Sequence, residues 1–306
     1  MSSLRSKFCR ILIKHLYGSK FIIGLTIDQV RKGMEVATRL AFLPAKTKVE
    51  QTSYGGVKAE WVSAKNVNEE NVILFLHGGG YNTGSPSTHR ELAAHISKVS
   101  NAKVLLPDYR LAPENTFPAA LEDAITSYRW LIDSGYSSSK IAIAGDSAGG
   151  GLTLVTCISI RDSGEPIPSS LACISPWTDL EMTGESVKTH KNIDPMVTFA
   201  PIQIMASLQI MASNYIGSND PRSPLISPIY ADLKDFPPMI IQVGSDEILL
   251  DDSMRMAERA KQAGVDLTIN IYEGMWHVFH ILYRLIPEAK HAVHELGSFI
   301  KNHFGR

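Results

Sequence analysis

Ser147 is the centre of a Gly145-Asp146-Ser147-Ala148-Gly149 pentapeptide that joins an apolar stretch, "KIAIAG", to a stretch with helical periodicity. Such a turn could cradle a phosphate, connect a strand tightly to a helix, or present a nucleophile. The phosphate-binding pattern G-x-x-x-x-G-K-[ST] does not fit, since no lysine follows the glycines, and G-x-G-x-x-G cannot be set on residues 145–151. What fits is G-x-S-x-G at a strand-to-helix turn, which predicts a serine nucleophile beside backbone N–H groups.

Two other interpretations share this short sequence. "GDSAGG" resembles the serine motif of chymotrypsin-like proteases, but that fold is all-β and places its histidine and aspartate before the serine. Asp146 could instead be the nucleophile, as in hydrolases with an aspartate at this turn. The flanking glycines stand two residues before and two residues after Ser147, so the pattern favours the serine.

A serine hydroxyl is a poor nucleophile until a base takes its proton and an acid orients that base. The apolar stretch "DLTINIY" leads into a loop that contains His277, and "PMIIQVG" leads into a loop that contains Asp246. Both follow Ser147, in the order acid and then histidine. We therefore predict that His277 is the base and that Asp246 fixes its tautomer and stabilises the imidazolium.

Three other acids compete with Asp246. Glu247 should point the other way if the strand continues, because side chains alternate along a strand. Asp251 and Asp252 suit the N-terminus of the helix that follows.

A second glycine run, His77-Gly78-Gly79-Gly80, follows the apolar stretch "NVILFL". Glycines at that position let backbone N–H groups face a substrate carbonyl, so the run predicts an oxyanion-hole loop rather than a simple turn. Of the other histidines, His89 has no motif around it and His280 is interpreted as a neighbour of His277.

The elements around these residues must bring them together. A predicted hairpin hinged at Gly55-Gly56 is followed by apolar strands that alternate with helices. This alternation predicts the α/β class, with a mostly parallel sheet covered on both faces. Right-handed crossovers place the loops after each strand along one edge, where ligand sites of α/β proteins gather.

Two segments stand outside this alternation. Residues 175–237 show helical patterns without an obvious strand, which indicates a lid insertion. Near the N-terminus, apolar residues at helical spacing predict an amphipathic cap helix. We expect its stripe to pack on the protein, with a position on a membrane surface as the alternative. The stripe comprises Leu4, Phe8, Ile11, Leu12 and Leu16.

Composition is that of a globular protein of 306 residues, with 44% hydrophobic and 20% charged residues. A net charge of -1 gives no basic footprint for nucleic acid. The N-terminal basic and apolar residues lack a cleavage site or a span, so no signal peptide and no stable membrane insertion are expected. The 3 cysteines have no metal or disulfide spacing, and a cytoplasmic location is expected.

Together the motifs resemble those of the bacterial hormone-sensitive lipase family of α/β-hydrolase esterases. The similarity runs through "FLHGGGY", "PDYRLAPENTFPAALED", "GDSAGG", "SPWTDL", "SPLISPIYADL", "IQVGSDEILLDD" and "EGMWHVFH". It implies cap helices at 1–45 and an α/β-hydrolase domain at 46–306, with a lid insertion at about 185–225. The family's usual D-P-L-x-D is here Asp246-Glu247-Ile248-Leu249-Leu250-Asp251, a small departure.

The resemblance also implies individual roles. Gly79, Gly80 and Ala148 would donate the oxyanion-hole hydrogen bonds, with Gly78 less favoured. Residues 108–114 would support the oxyanion loop without taking part in the chemistry.

The expected activity is hydrolysis of short- to medium-chain carboxylic esters through an acyl-enzyme on Ser147, without metal or organic cofactor. Lactone hydrolysis is the nearest alternative, and an amidase or peptidase or a non-catalytic binding module is less favoured. Met205, Leu208 and Trp276 are predicted to line an apolar substrate pocket, although the lid residues could equally be packing core. The expected partner is a small-molecule ester, nucleic acid is not expected, and a homodimer is left open.

Overall fold

A computed structural model describes residues 2–17, 26–38, 42–196 and 201–306, apart from the side chains of 14–17 and 201–207. Its strands are β1 (Lys48–Tyr54), β2 (Val57–Ser63), β3 (Asn68–Leu76), β4 (Ala102–Pro107), β5 (Ile141–Asp146), β6 (Ser170–Ile174), β7 (Met239–Gly244) and β8 (Leu267–Tyr272). Its helices are α1 (Leu4–Tyr17), α2 (Ile27–Ala37), α3 (Pro86–Ser100), α4 (Ala119–Asp133), α5 (Ala148–Asp162), α6 (Glu185–Thr189), α7 (Pro201–Ile216), α8 (Leu250–Gln262) and α9 (Pro287–His303).

The strands form one sheet in the order β1-β2-β4-β3-β5-β6-β7-β8. The predicted hairpin is confirmed, because β1 and β2 pair antiparallel with Tyr54 opposite Val57 across the two glycines. β2 also runs antiparallel to β4, and every pair from β4 to β8 is parallel. The expected α/β fold with a mostly parallel sheet is confirmed.

The central strands of the sheet are buried on both faces, as their apolar sequences require. Along β3, Leu74 and Leu76 join a core with α4, α5 and α8, whereas Ile73 and Phe75 join a second core with α3 and α9. This alternation follows from the period of two in a strand. The five strands β4-β3-β5-β6-β7 therefore lie between two layers of helices. The sheet edge at which they end is held rigidly by these layers.

The insertion between β6 and β7 contains α6 and α7 and no strand in the part that the structure describes. The second half of α7 is fixed to the loop after β3. Tyr215 stacks on Tyr81 with ring centroids 3.7 Å apart, and Asn82 Nδ2 donates to the Met211 carbonyl at 3.0 Å. α7 and the loop after β3 therefore form one packed unit.

α1 docks beside the start of α9, where the Ser3 hydroxyl donates to Glu288 Oε2 at 3.0 Å. The expectation that its apolar stripe packs on the protein is wrong: Leu4, Phe8, Ile11 and Leu12 are 84%, 67%, 57% and 45% exposed. The opposite face, with Ser6 and Cys9, is buried instead. The Leu16 side chain lies outside the described residues. No helix in the described ranges is long and apolar enough to cross a membrane.

Candidate active site

Ser147 stands at the sharp turn between β5 and α5, with φ +54° and ψ -122°. Positive φ strains a residue with a Cβ, so the surrounding contacts must hold it in place. The Ser147 N–H donates to the Ile174 carbonyl at 2.8 Å, and its own carbonyl accepts from Trp177 N–H at 2.9 Å. The turn thus presents the hydroxyl at the N-terminus of α5.

The glycines at either end of the pentapeptide are required by close backbone approach. A Cβ at Gly145 would lie 2.3 Å from the Gly149 carbonyl oxygen, and one at Gly149 would lie 2.0 Å from that of Leu76. Neither obstacle can move without displacing a strand or the helix. The turn therefore needs glycine at both positions, as the motif predicts.

His277 lies in the loop after β8, and its Nε2 is 2.9 Å from Ser147 Oγ. Burial alone would lower the pKa of His277. The hydrogen bond and charge of Glu247, with the charges of Asp194 and Asp146, outweigh burial and raise that pKa above its usual value. The ring is therefore placed to accept the serine proton and surrounded by groups that stabilise the imidazolium.

The carboxylate beside His277 belongs to Glu247 and not to Asp246, which differs from the sequence-based prediction. Glu247 Oε1 lies 3.4 Å from His277 Nδ1, and the Glu247 side chain is fully buried. The Asp246 carboxylate is instead 2.7 Å from an Arg10 nitrogen, and it accepts the Ser245 hydroxyl at 2.8 Å.

The physical reason is where β7 ends. The alternation argument assumed a strand through residue 247, but β7 stops at Gly244 and a turn follows. The Gly244 N–H donates to Glu247 Oε2 at 3.0 Å, so the turn folds the glutamate back over the strand end. The family pattern D-P-L-x-D, set without a gap on Glu247-Ile248-Leu249-Leu250-Asp251, would have pointed to the same residue.

Ser175, after β6, is a further residue that the motifs did not single out. Its hydroxyl donates to Glu247 Oε2 at 2.7 Å and accepts the Val278 N–H at 3.2 Å. It therefore ties the acid to the backbone next to His277. Asp251 and Asp252 lie in the first turn of α8, and their carboxylates accept backbone N–H groups of Ser186 and Thr178.

The N–H groups of Gly79, Gly80 and Ala148 meet no acceptor within the described part of the chain. Gly79 and Gly80 have φ of +121° and +61°, which residues with a Cβ rarely adopt. The loop lies close to the start of α5, since a Cβ at Gly149 would lie 2.6 Å from the His77 carbonyl oxygen. These three N–H groups are thus free to bind a carbonyl oxygen, whereas the Gly78 N–H is already bonded to Asp146 Oδ1 at 3.0 Å.

Asp146 and His89 form a buried pair behind this loop, 3.2 Å apart at the closest contact. Burial would raise the pKa of Asp146, but His89 and the Gly78 N–H lower it below its usual value. Burial would likewise lower the pKa of His89, which the Asp146 charge raises. Asp146 therefore positions the glycine loop through Gly78, and His89, which has no motif around it in the sequence, is its partner.

His77, whose ring centroid lies 5.5 Å from that of His89, supports the same loop. Burial lowers its pKa to about 3, so it is neutral, and its ring stacks on Tyr109 with centroids 4.1 Å apart. The Tyr109 hydroxyl donates to the His77 carbonyl at 2.6 Å. Arg31 of α2 joins the same support by donating to the carbonyls of Asn82 and Ala112, each at 2.8 Å.

The three residues predicted to line a substrate pocket have different positions. Trp276 is 1% exposed and packs beneath α1, with Arg10 over its ring. Leu208 is half-buried against the larger core, and the Met205 side chain lies outside the described residues. Met211 on α7 reaches the same glycine loop, since a Cβ at Gly80 would lie 2.7 Å from its sulfur.

A hydroxyl on a strained turn, an imidazole with a carboxylate behind it, and three unbonded N–H groups can carry out nucleophilic acyl transfer. These groups, together with the mostly parallel sheet that positions them, define the α/β-hydrolase class. A family model for the α/β hydrolase fold matches residues 73–281.

Similar proteins and solved structures identify the family within this class. An acetyl-hydrolase of Streptomyces hygroscopicus is 39% identical over 251 residues, 82% of this chain and 82% of that protein. The crystal structure of EstE5 soaked with p-nitrophenyl butyrate has a TM-score of 0.92 at 40% identity. An esterase of the bacterial hormone-sensitive lipase family has a TM-score of 0.92 at 39% identity. Both structural comparisons cover 100% of each chain. The chain belongs to the α/β-hydrolase family, among the bacterial hormone-sensitive lipase esterases, and is a carboxylic ester hydrolase.

Proposed function

We propose that the chain hydrolyses short- to medium-chain carboxylic esters through an acyl-enzyme, with Ser147 as nucleophile, His277 as base and Glu247 as the acid. The observation that carries the proposal is the 2.9 Å contact between Ser147 Oγ and His277 Nε2 at the N-terminus of α5. The predicted aspartate, Asp246, is replaced in this proposal by its neighbour because of the 3.4 Å contact of Glu247 with His277.

In the first half-reaction, Ser147 Oγ attacks the ester carbonyl carbon while its proton passes to His277 Nε2. The negative oxygen is held by the N–H groups of Gly79, Gly80 and Ala148. The ester C–O bond then breaks, and His277 gives its proton to the departing alkoxide. Glu247 stabilises the imidazolium throughout.

In the second half-reaction, water attacks the acyl carbonyl carbon and His277 Nε2 takes the water proton. The bond to Ser147 Oγ breaks, and the same proton returns to the serine. The products are the carboxylic acid and free enzyme.

The preference for shorter acyl chains is supported by Met211. Its sulfur lies close to Gly80, so the lid helix limits the space beside the proposed oxyanion hole. Homodimer formation and a cytoplasmic location stay predictions.

The test uses p-nitrophenyl butyrate with wild type and Ser147→Ala. Turnover should fall by about 10³-fold or more, and mass spectrometry of the wild type stopped early in the reaction should find a butyryl group on the Ser147 peptide. Ser159→Ala is the matched control, because Ser159 lies on the same helix with its hydroxyl bonded to the Val155 carbonyl. Retained turnover in Ser147→Ala would overturn the proposal, and a preference for matched lactones or amides would change the substrate class.

A further inference from the structure

The outer face of α1 is apolar and exposed. At about 100° per residue, Leu4, Phe8 and Leu12 fall within about 80° of arc on a helix. All three side chains are exposed. An apolar helix face normally packs against the protein, so its exposure indicates an interaction surface.

The helix is docked in one orientation, so this face cannot turn inward. Ser6 and Cys9 are buried on the opposite side. Arg10 fixes the rotation further by donating to the Ile193 carbonyl at 2.8 Å and pairing with Asp246 at 2.7 Å. The inner face is held by specific contacts while the apolar face points to solvent.

Charge flanks the apolar face on both sides. Arg5 and Lys7 are exposed and lie about 100° and 60° from Leu4 on opposite edges of the stripe. α1 contains no acidic residue, and the first acid of the chain is Asp28. The next helix along the chain, α2, instead carries Asp28 and Glu35 among its basic residues.

We propose that α1 docks on an anionic lipid surface, lying in the plane of the bilayer. Leu4, Phe8 and Leu12 would enter the boundary between headgroups and acyl chains, and Arg5 and Lys7 would contact lipid phosphates. A second copy of this chain fits the face less well, because a two-fold contact would bring like charges of the two α1 helices together.

Docking on lipid does not depend on catalysis, so the test uses the full-length Ser147→Ala variant. Its cosedimentation is measured with vesicles of phosphatidylcholine alone and with an equal mixture of phosphatidylcholine and phosphatidylglycerol. We expect binding to the mixed vesicles that weakens with added salt, and about tenfold weaker binding for Phe8→Glu combined with Leu12→Glu. Arg5→Glu with Lys7→Glu should likewise lower binding to the mixed vesicles.

Ile271→Glu is the control for the apolar change, since Ile271 is 48% exposed on the edge strand β8. Lys261→Glu with Lys301→Glu is the control for the charge change, and both controls should bind as the parent does. Circular dichroism and thermal melting should be alike in all variants. The proposal is overturned if the parent does not bind mixed vesicles, if the α1 variants bind equally well, or if their only effect is to abolish a dimer in solution.

Discussion

His277 Nδ1 lies 3.4 Å from Glu247 Oε1, whereas Asp246, which directly precedes Glu247 in the sequence, faces Arg10 of α1. The two neighbouring carboxylates thus serve different parts of the molecule. Glu247 is buried under the imidazole, and Asp246 is part of the contact between the domain and α1. This division makes the pair a direct test of the proposed triad.

Glu247→Gln should lower kcat by about 100-fold or more, because the amide no longer stabilises the imidazolium. Asp246→Asn, the matched neighbour, should keep activity within about threefold. Steady-state kinetics on p-nitrophenyl butyrate measure both, with thermal melting to verify that each variant folds. Equal losses in the two variants, or a larger loss for Asp246→Asn, would contradict the assignment of Glu247.

The pH dependence follows from the raised pKa of His277. The base must be neutral, so kcat/KM should fall as pH is lowered through that pKa, which is raised from its usual value. Burial lowers the pKa of His277, and without the Glu247 charge fewer negative groups oppose this effect. In Glu247→Gln the acid limb should therefore move to lower pH.

The pH profile of kcat/KM for the wild type and Glu247→Gln measures this shift. Titration of the His277 ring by NMR in the Ser147→Ala background provides a check that does not require turnover. An acid limb that stays in place, or one that moves to higher pH, would contradict the role of the Glu247 charge.

The features that could be predicted from the sequence are those for which the local backbone requires a particular residue type. Ser147 is marked by Gly145 and Gly149, whose positions would clash with backbone if they carried a Cβ. The sheet and its hairpin follow from apolar strands and a pair of turn glycines. In each case the residues that determine the structure lie within a few positions of the turn or strand that they form.

Which acid reaches His277, and which face of α1 docks on the domain, depend on contacts that the sequence does not show. Asp246 and Glu247 are adjacent, and only the end of β7 at Gly244 decides which one reaches His277. For α1, periodicity predicts a helix and its two faces but not which face docks. That choice depends on Glu288, almost the full length of the chain away, whose carboxylate holds Ser3.

Met211 on α7 should control acyl-chain length. Met211→Ala opens space beside Gly80, so kcat/KM for long p-nitrophenyl esters should rise relative to butyrate by about threefold to tenfold. Ile210→Ala is the control, because Ile210 on the same helix is 56% exposed. A series of esters from acetate to decanoate measures the profile, and an unchanged profile in Met211→Ala would exclude this residue as the limit.

Arg10 should hold α1 on the domain. Its guanidinium pairs with Asp246, donates to the Ile193 carbonyl and lies 6.0 Å from the centre of the Trp276 ring. Arg10→Ala removes all three contacts, and the partly buried ion pair alone should stabilise docking by about 1 kcal/mol. Since a helix of 14 residues is marginal by itself, an undocked α1 should also unfold.

Amide hydrogen exchange measures that opening. In Arg10→Ala the α1 amides should exchange about fivefold faster than in the wild type, while amides of α5 should be unchanged. Lys7→Ala is the matched control, because Lys7 lies on the exposed side of the same helix. If exchange in α1 is the same in Arg10→Ala and Lys7→Ala, the helix is held by its other contacts, such as the Ser3–Glu288 hydrogen bond, and the Arg10 link contributes little.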